Sequence, residues 1–130
     1  MRYAETMQAL LGRHKTTIYV LLRIVSGLLF AVHGIQKMFG VLGRQESVNL
    51  MSQSGLAAII ETFGGLSIAI GLFTSPWAFV ASGEMAVAYF QAHAPRAWLP
   101  IENGGEPAVL FCFIFLYIAA VGTGKWGLQR

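Results

Sequence analysis

His33, Lys37, Glu61 and Glu84 lie inside long apolar runs, and Glu106 stands at the mouth of another. Two carboxyls, an ammonium and an imidazole in such surroundings have a definite chemistry. Lys and His donate hydrogen bonds to a polar headgroup, and Glu takes up or releases protons. Ionisable groups at membrane depth are expensive, so they face a bundle interior or a polar cavity and mark function. His33 and Lys37 stand four apart and share a helix face. At ~1.5 Å per residue, Glu84 sits near the middle of its run and Glu61 about 4–5 Å outward of the centre of its own. On the same scale His33 is about 7–8 Å outward and Lys37 one turn further. Lys37 is thus expected to pair with Glu61 and His33 with Glu84, or the partners exchange. A purely structural network that fixes helix register uses the same residues. Tyr89, Gln91 and His93 come at the end of the third run, where they are placed at the outer rim of the cavity.

Other chemistries have less to stand on. The chain has no HExxH-type ligand motif, so no metal site is expected. No Ser–His–acid arrangement can be inferred. The single cysteine, Cys112, lies within the last apolar run, where it reads as a small packing residue and leaves no dithiol.

The elements that must position these groups are four apolar runs, 17–39, 55–73, 76–92 and 106–122. Each is about long enough for a hydrocarbon core of ~30 Å. Only 12% of residues are charged, 55% are hydrophobic, mean hydropathy is +0.60, and Asp is absent. Soluble domains carry about 25% charged residues. The expectation is one all-α domain over 1–130, an integral membrane four-helix bundle with no room for a separate cofactor domain. Arg2, Arg13, Lys15, Lys125 and Arg130 flank the first and last runs, whereas the 40–54 and 93–105 connections carry only Arg44 and Arg96. That bias places both termini in the cytoplasm. Scattered basic residues give no nucleic-acid surface. The first run is too long for a signal peptide, and Arg23 interrupts it, so it reads as a retained helix.

Small residues recur at packing intervals: Gly27, Ala31 and Gly34 in the first run, Gly65 and Ala69 in the second, Ala78, Ser82 and Ala86 in the third. Such faces allow close helix contact. Arg23 is expected to snorkel to the cytoplasmic headgroups. Phe111, Phe113, Phe115 and Tyr117 read as lipid-facing bulk, and Trp77, Trp98 and Trp126 as interfacial anchors. Residues 1–16 form an amphipathic lead-in suited to a membrane surface.

The order and spacing of GLLFAVHGIQKMFG, ETFGGLSIAIGLFTSPWAF and GEMAVAYFQAHAPRAWLPIENGGEPAVLFCFIFLYIAAVGTGKW resemble the DoxX family of small bacterial inner-membrane proteins. The likeness covers nearly everything from 21 to 126. The tail departs from it, with Trp126-Gly127-Leu128-Gln129 where many relatives end in Trp-Ser-Leu-Asp. The resemblance implies a multi-pass four-helix bundle in the inner membrane and a link to respiratory or sulfur redox chemistry. Carried onto this chain, its residues of interest are His33, Lys37, Glu61, Glu84, Asn103 and Glu106. The leading expectation is a membrane subunit of a quinone-linked oxidoreductase system. Quinone would be the ligand, no cofactor would be covalently bound, and electrons would come from a soluble redox partner. The alternatives are a small transporter or solute-binding protein, acting as a homo-oligomer, and a membrane scaffold for peripheral redox enzymes.

Overall fold

The computed structural model describes residues 2–129, which are helical with no strand among them. Arg130, counted above with the cytoplasmic charges, lies outside the described residues. Helix α1 spans Arg2–Gly12, and α2 runs without a break over Lys15–Phe39 until Gly40, at φ 64°, ends it. Ser52 accepts the Gly55 N–H and starts α3, Gln53–Ile59, which passes through a π-helical stretch, Ile60–Gly64, into α4, Gly65–Ile70. A tight turn leads to α5, Thr74–Ala88, which ends in a second π-helical stretch, Tyr89–His93. A short α6, Pro100–Asn103, precedes α7, Glu106–Val121. Glu106 and Pro107 occupy the first turn of α7, where a carboxylate meets the positive end of the helix dipole and the missing Pro N–H costs nothing.

Two helices, Lys15–Phe39 and the continuous Gln53–Ile70, are long and apolar enough to cross a membrane. They pack on each other through the small residues. A Cβ at Gly27 would lie 2.6 Å from the Gly65 carbonyl oxygen, and one at Gly34 would overlap Thr62. Helix α5 packs chiefly on α7, where Ser82 donates to the Cys112 carbonyl at 2.8 Å. The two pairs close around Phe30, Ile68, Ala78, Ala81, Phe115 and Ile118. Phe115 is therefore core and not lipid-facing bulk; its ring meets Phe30 at 4.8 Å and Phe111 at 5.6 Å. Phe113 and Tyr117, on the other face of α7, are exposed. Trp77 also departs from expectation, since it lies half-buried against Gly64, while Trp98 and Trp126 are exposed. Helix α1 buries none of its residues.

Arg23 does not snorkel. It is fully buried, and its guanidinium donates to the carbonyls of Ala69, Thr123, Lys125 and Trp126. The reason is the segment after α7, which folds back over the α4–α5 turn: Leu128 N–H donates to Ile70 O at 3.1 Å and Gln129 N–H to Gly71 O at 3.0 Å. Gln129 Oε1 accepts the N–H of Phe73, whose φ of 48° makes the turn. The carbonyl of Ala69 in the last turn of α4, where the helix dipole is negative, and those of the segment after α7 thus replace lipid headgroups as partners of the cation. The planar fork supplies several donors that an ammonium cannot match. Arg23→Met should lower stability by about 2–3 kcal/mol, and Arg23→Lys should recover little of it. Thermal unfolding in detergent checks both.

Candidate functional site

At the opposite end of α2 from Arg23, about 21 Å away along the helix axis, lies a second buried charge cluster. Lys37, on the last turn of α2, places Nζ 2.7 Å from Glu61 Oε1. This is the only salt bridge among the described residues, and Glu61 is only 2% exposed. Glu61 belongs to the π-helical stretch. A π turn widens the helix and shifts the register of the faces on either side of it, and such turns occur often at functional sites. From α5, half-buried Glu84 brings its carboxyl against that of Glu61, with the Lys37 charge also in range. Each carboxyl keeps one oxygen, Glu61 Oε2 and Glu84 Oε2, buried with no hydrogen-bond partner. An unmade hydrogen bond on a buried polar atom costs about 1–3 kcal/mol, so both oxygens are poised for a donor.

A cleft of about 480 Å³ opens beside this trio, between α3 and α5. Lys37 and Glu84 line its polar part, and Leu56, Ala57, Ile60, Val80, Val87 and Ala88 form its apolar walls. Leu56, Val80 and Val87 are largely exposed, so the cleft opens sideways between the helices. Across its outer end Gln53 Nε2 donates to Gln91 Oε1 at 2.7 Å. The geometry combines a charged floor, apolar walls and an amide bridge. It suits a small amphipathic molecule with a hydrogen-bonding head. Two neighbouring carboxyls beside an ammonium are groups able to take up and release protons.

The other expected site residues are elsewhere. His33 is exposed, edge-on to Phe111 with ring centroids 6.3 Å apart, and forms no pair with Glu84. Depth placed it in the same half of the bundle as the two acids and left its partner open; the helix face it occupies turns it toward α7. Tyr89, His93 and Asn103 do come together, but away from the cleft. Buried Asn103 donates to Tyr89 Oη at 3.2 Å and to Ala97 O at 3.1 Å, and accepts the Gly105 N–H at 2.8 Å. His93 Nδ1 lies 3.1 Å from the Asn103 carbonyl oxygen and stacks on Tyr89. These bonds tie the 94–105 connection to the end of α5. Glu106 is exposed beside a separate shallow groove with Leu99, Pro100 and Ile101. Gln53 and Gly83 are cleft residues that the sequence reading missed. The signal was present: Val80, Glu84, Val87 and Gln91 recur at helical spacing and mark one face of α5.

The DoxX family profile matches residues 18–94, more than half of the chain. The chain belongs to the DoxX family. DoxX is a family of membrane proteins, and its matched stretch contains the whole charge trio and every residue of the cleft while stopping short of Asn103 and Glu106. A protein of Haemophilus influenzae (strain ATCC 51907 / DSM 11121 / KW20 / Rd), described as uncharacterized, is 35% identical over 130 residues, covering 92% of this DoxX chain and 94% of the relative. No solved structure matches.

Lys37→Met strands the buried Glu61 carboxylate and should destabilise this DoxX protein by about 3–5 kcal/mol. Adding Glu61→Gln to that variant should recover most of the loss in thermal unfolding. Additive losses would contradict the pairing.

Proposed function

We propose that this DoxX protein is a single-domain, multi-pass protein of the bacterial inner membrane that receives the headgroup of a quinone in the cleft between α3 and α5. In this reading the helical segments 15–39, 53–70, 74–93 and 106–121 each cross the bilayer, with both termini cytoplasmic. The observation that carries the ligand is the pairing of an apolar, sideways-open cleft with a floor of Lys37 and Glu84 backed by Glu61. A quinone is soluble in lipid and brings an oxygen-bearing ring, so it can approach from the bilayer and be met by hydrogen bonds. Lys37 donates to one ring oxygen. The Glu61–Glu84 pair supplies or takes up the protons that accompany the two electrons of quinone reduction or reoxidation. The electrons come from a soluble redox partner, since the sequence has no haem, flavin or iron–sulfur motif. The protein thus acts as a membrane subunit of a quinone-linked oxidoreductase system, with its own residues handling the ligand and the protons.

Protein purified in mild detergent should carry near-stoichiometric quinone in its lipid extract by mass spectrometry, and Glu84→Gln should lose it. Wild-type protein without quinone would refute the ligand assignment. The topology has its own test in a Cys112→Ser background. Glu46→Cys should react with a membrane-impermeant maleimide in intact spheroplasts, and His14→Cys only after lysis. The reverse pattern would invert the assigned orientation.

A further inference from the structure

Gly83 stands apart from the other glycines of the helical segments 15–39, 53–70 and 74–93. A Cβ at Gly27, Gly55, Gly64 or Gly65 would run into a neighbouring helix, ring or backbone, and one at Gly34 would overlap Thr62. Close packing accounts for all of these. At Gly83 a Cβ would meet nothing within 4 Å, and no positive φ requires glycine there. Glycine within a helix costs about 1 kcal/mol relative to Ala, and packing does not offset that cost at this position. What Gly83 does is line the cleft, exposed, immediately before Glu84 and on the open side.

We propose that Gly83 is the doorway of the cleft: its bare backbone is the surface over which a lipid-soluble molecule with a reactive or hydrogen-bonding head passes from the bilayer to Glu84. Its neighbours on either side of the opening, Val80 and Val87, frame the passage one helical turn away in each direction. A side chain at 83 would project into the open space and cover the route. The amide bridge between Gln53 and Gln91 spans the outer end, which leaves the gap at Gly83 as the sideways path. Gly83 is therefore a position whose missing side chain keeps the sideways route to Glu84 open. The inference rests on the membrane reading above, but not on the ligand being a quinone.

The test uses dicyclohexylcarbodiimide, a lipid-soluble reagent for carboxyls held in apolar surroundings, on the full chain in liposomes, with the modified residue located by peptide mass spectrometry. Wild type and Gly83→Ala should be modified at Glu84. Gly83→Leu should fall to the background of Glu84→Gln while its melting temperature stays at or above that of wild type, since Leu is the better helix former. Val87→Trp, which obstructs the same gap from the next turn, should also lose the modification. Undiminished labelling of Gly83→Leu and Val87→Trp would overturn the doorway, as would a wild-type Glu84 that never reacts. Reaction at Glu84 in protein that carries no quinone would remove the quinone and leave the doorway standing.

Discussion

Everything in this fold answers to the cost of keeping charge away from water. Removing a single ammonium or carboxylate from water costs several kcal/mol even after the protein relaxes, and only close partners offset it. Among the described residues there are two such places, separated by about four turns of α2, and the cost is met in two different ways. At Arg23 both terminal nitrogens of the guanidinium meet backbone carbonyls, and only Nε is left without a partner. Carbonyls from α4 and from the 123–126 segment surround the guanidinium, and that segment is in turn fastened to the α4–α5 turn. At Lys37 the offset is partial. One ammonium serves two facing carboxyls, and an oxygen of each is left without a partner.

That difference separates a charge that holds the fold from charges that can do work. The carbonyls around Arg23 are fixed dipoles on backbone locked by further bonds, so the cluster has one stable arrangement. Glu61 and Glu84 each have an unpartnered oxygen, and a cleft lined by Glu84 leads to the pair. The π-helical stretch at Ile60–Gly64 belongs to the same economy of position. It puts an acid on a helix whose neighbouring turns are otherwise committed to small-residue packing against α2. The cleft itself is lined only by residues between 37 and 92, inside the stretch that matches the DoxX profile.

Much of this was legible in the sequence because hydropathy and small-residue spacing report directly on helix length and on contact faces. The runs 17–39, 55–73, 76–92 and 106–122 differ from the observed helical segments by at most three residues at their ends. Axial depth put Lys37 and Glu61 in the same half of the bundle with the pairing left open, and the two are paired. Depth does not give the angle around the helix, which is why His33 was expected to meet one of the acids and Phe115 to face lipid. A π turn changes that angle in mid-helix and has no composition of its own beyond the loosened Gly64-Gly65 pair. The partners of Arg23 are backbone atoms of a segment that reads as a polar tail, and no side-chain pattern announces them. The Asn103 knot was likewise hidden, because its bonds run to backbone groups whose positions depend on the chain path between α5 and α7.

A ligand head that meets the neighbouring carboxyls of Glu61 and Glu84 is read directly by infrared difference spectroscopy. Adding a short-tailed quinone to the reconstituted protein should perturb the carbonyl-stretch band of a protonated carboxyl, and the change should vanish in Glu84→Gln. A quinone that binds while that band stays silent would place the ligand elsewhere and contradict the central claim.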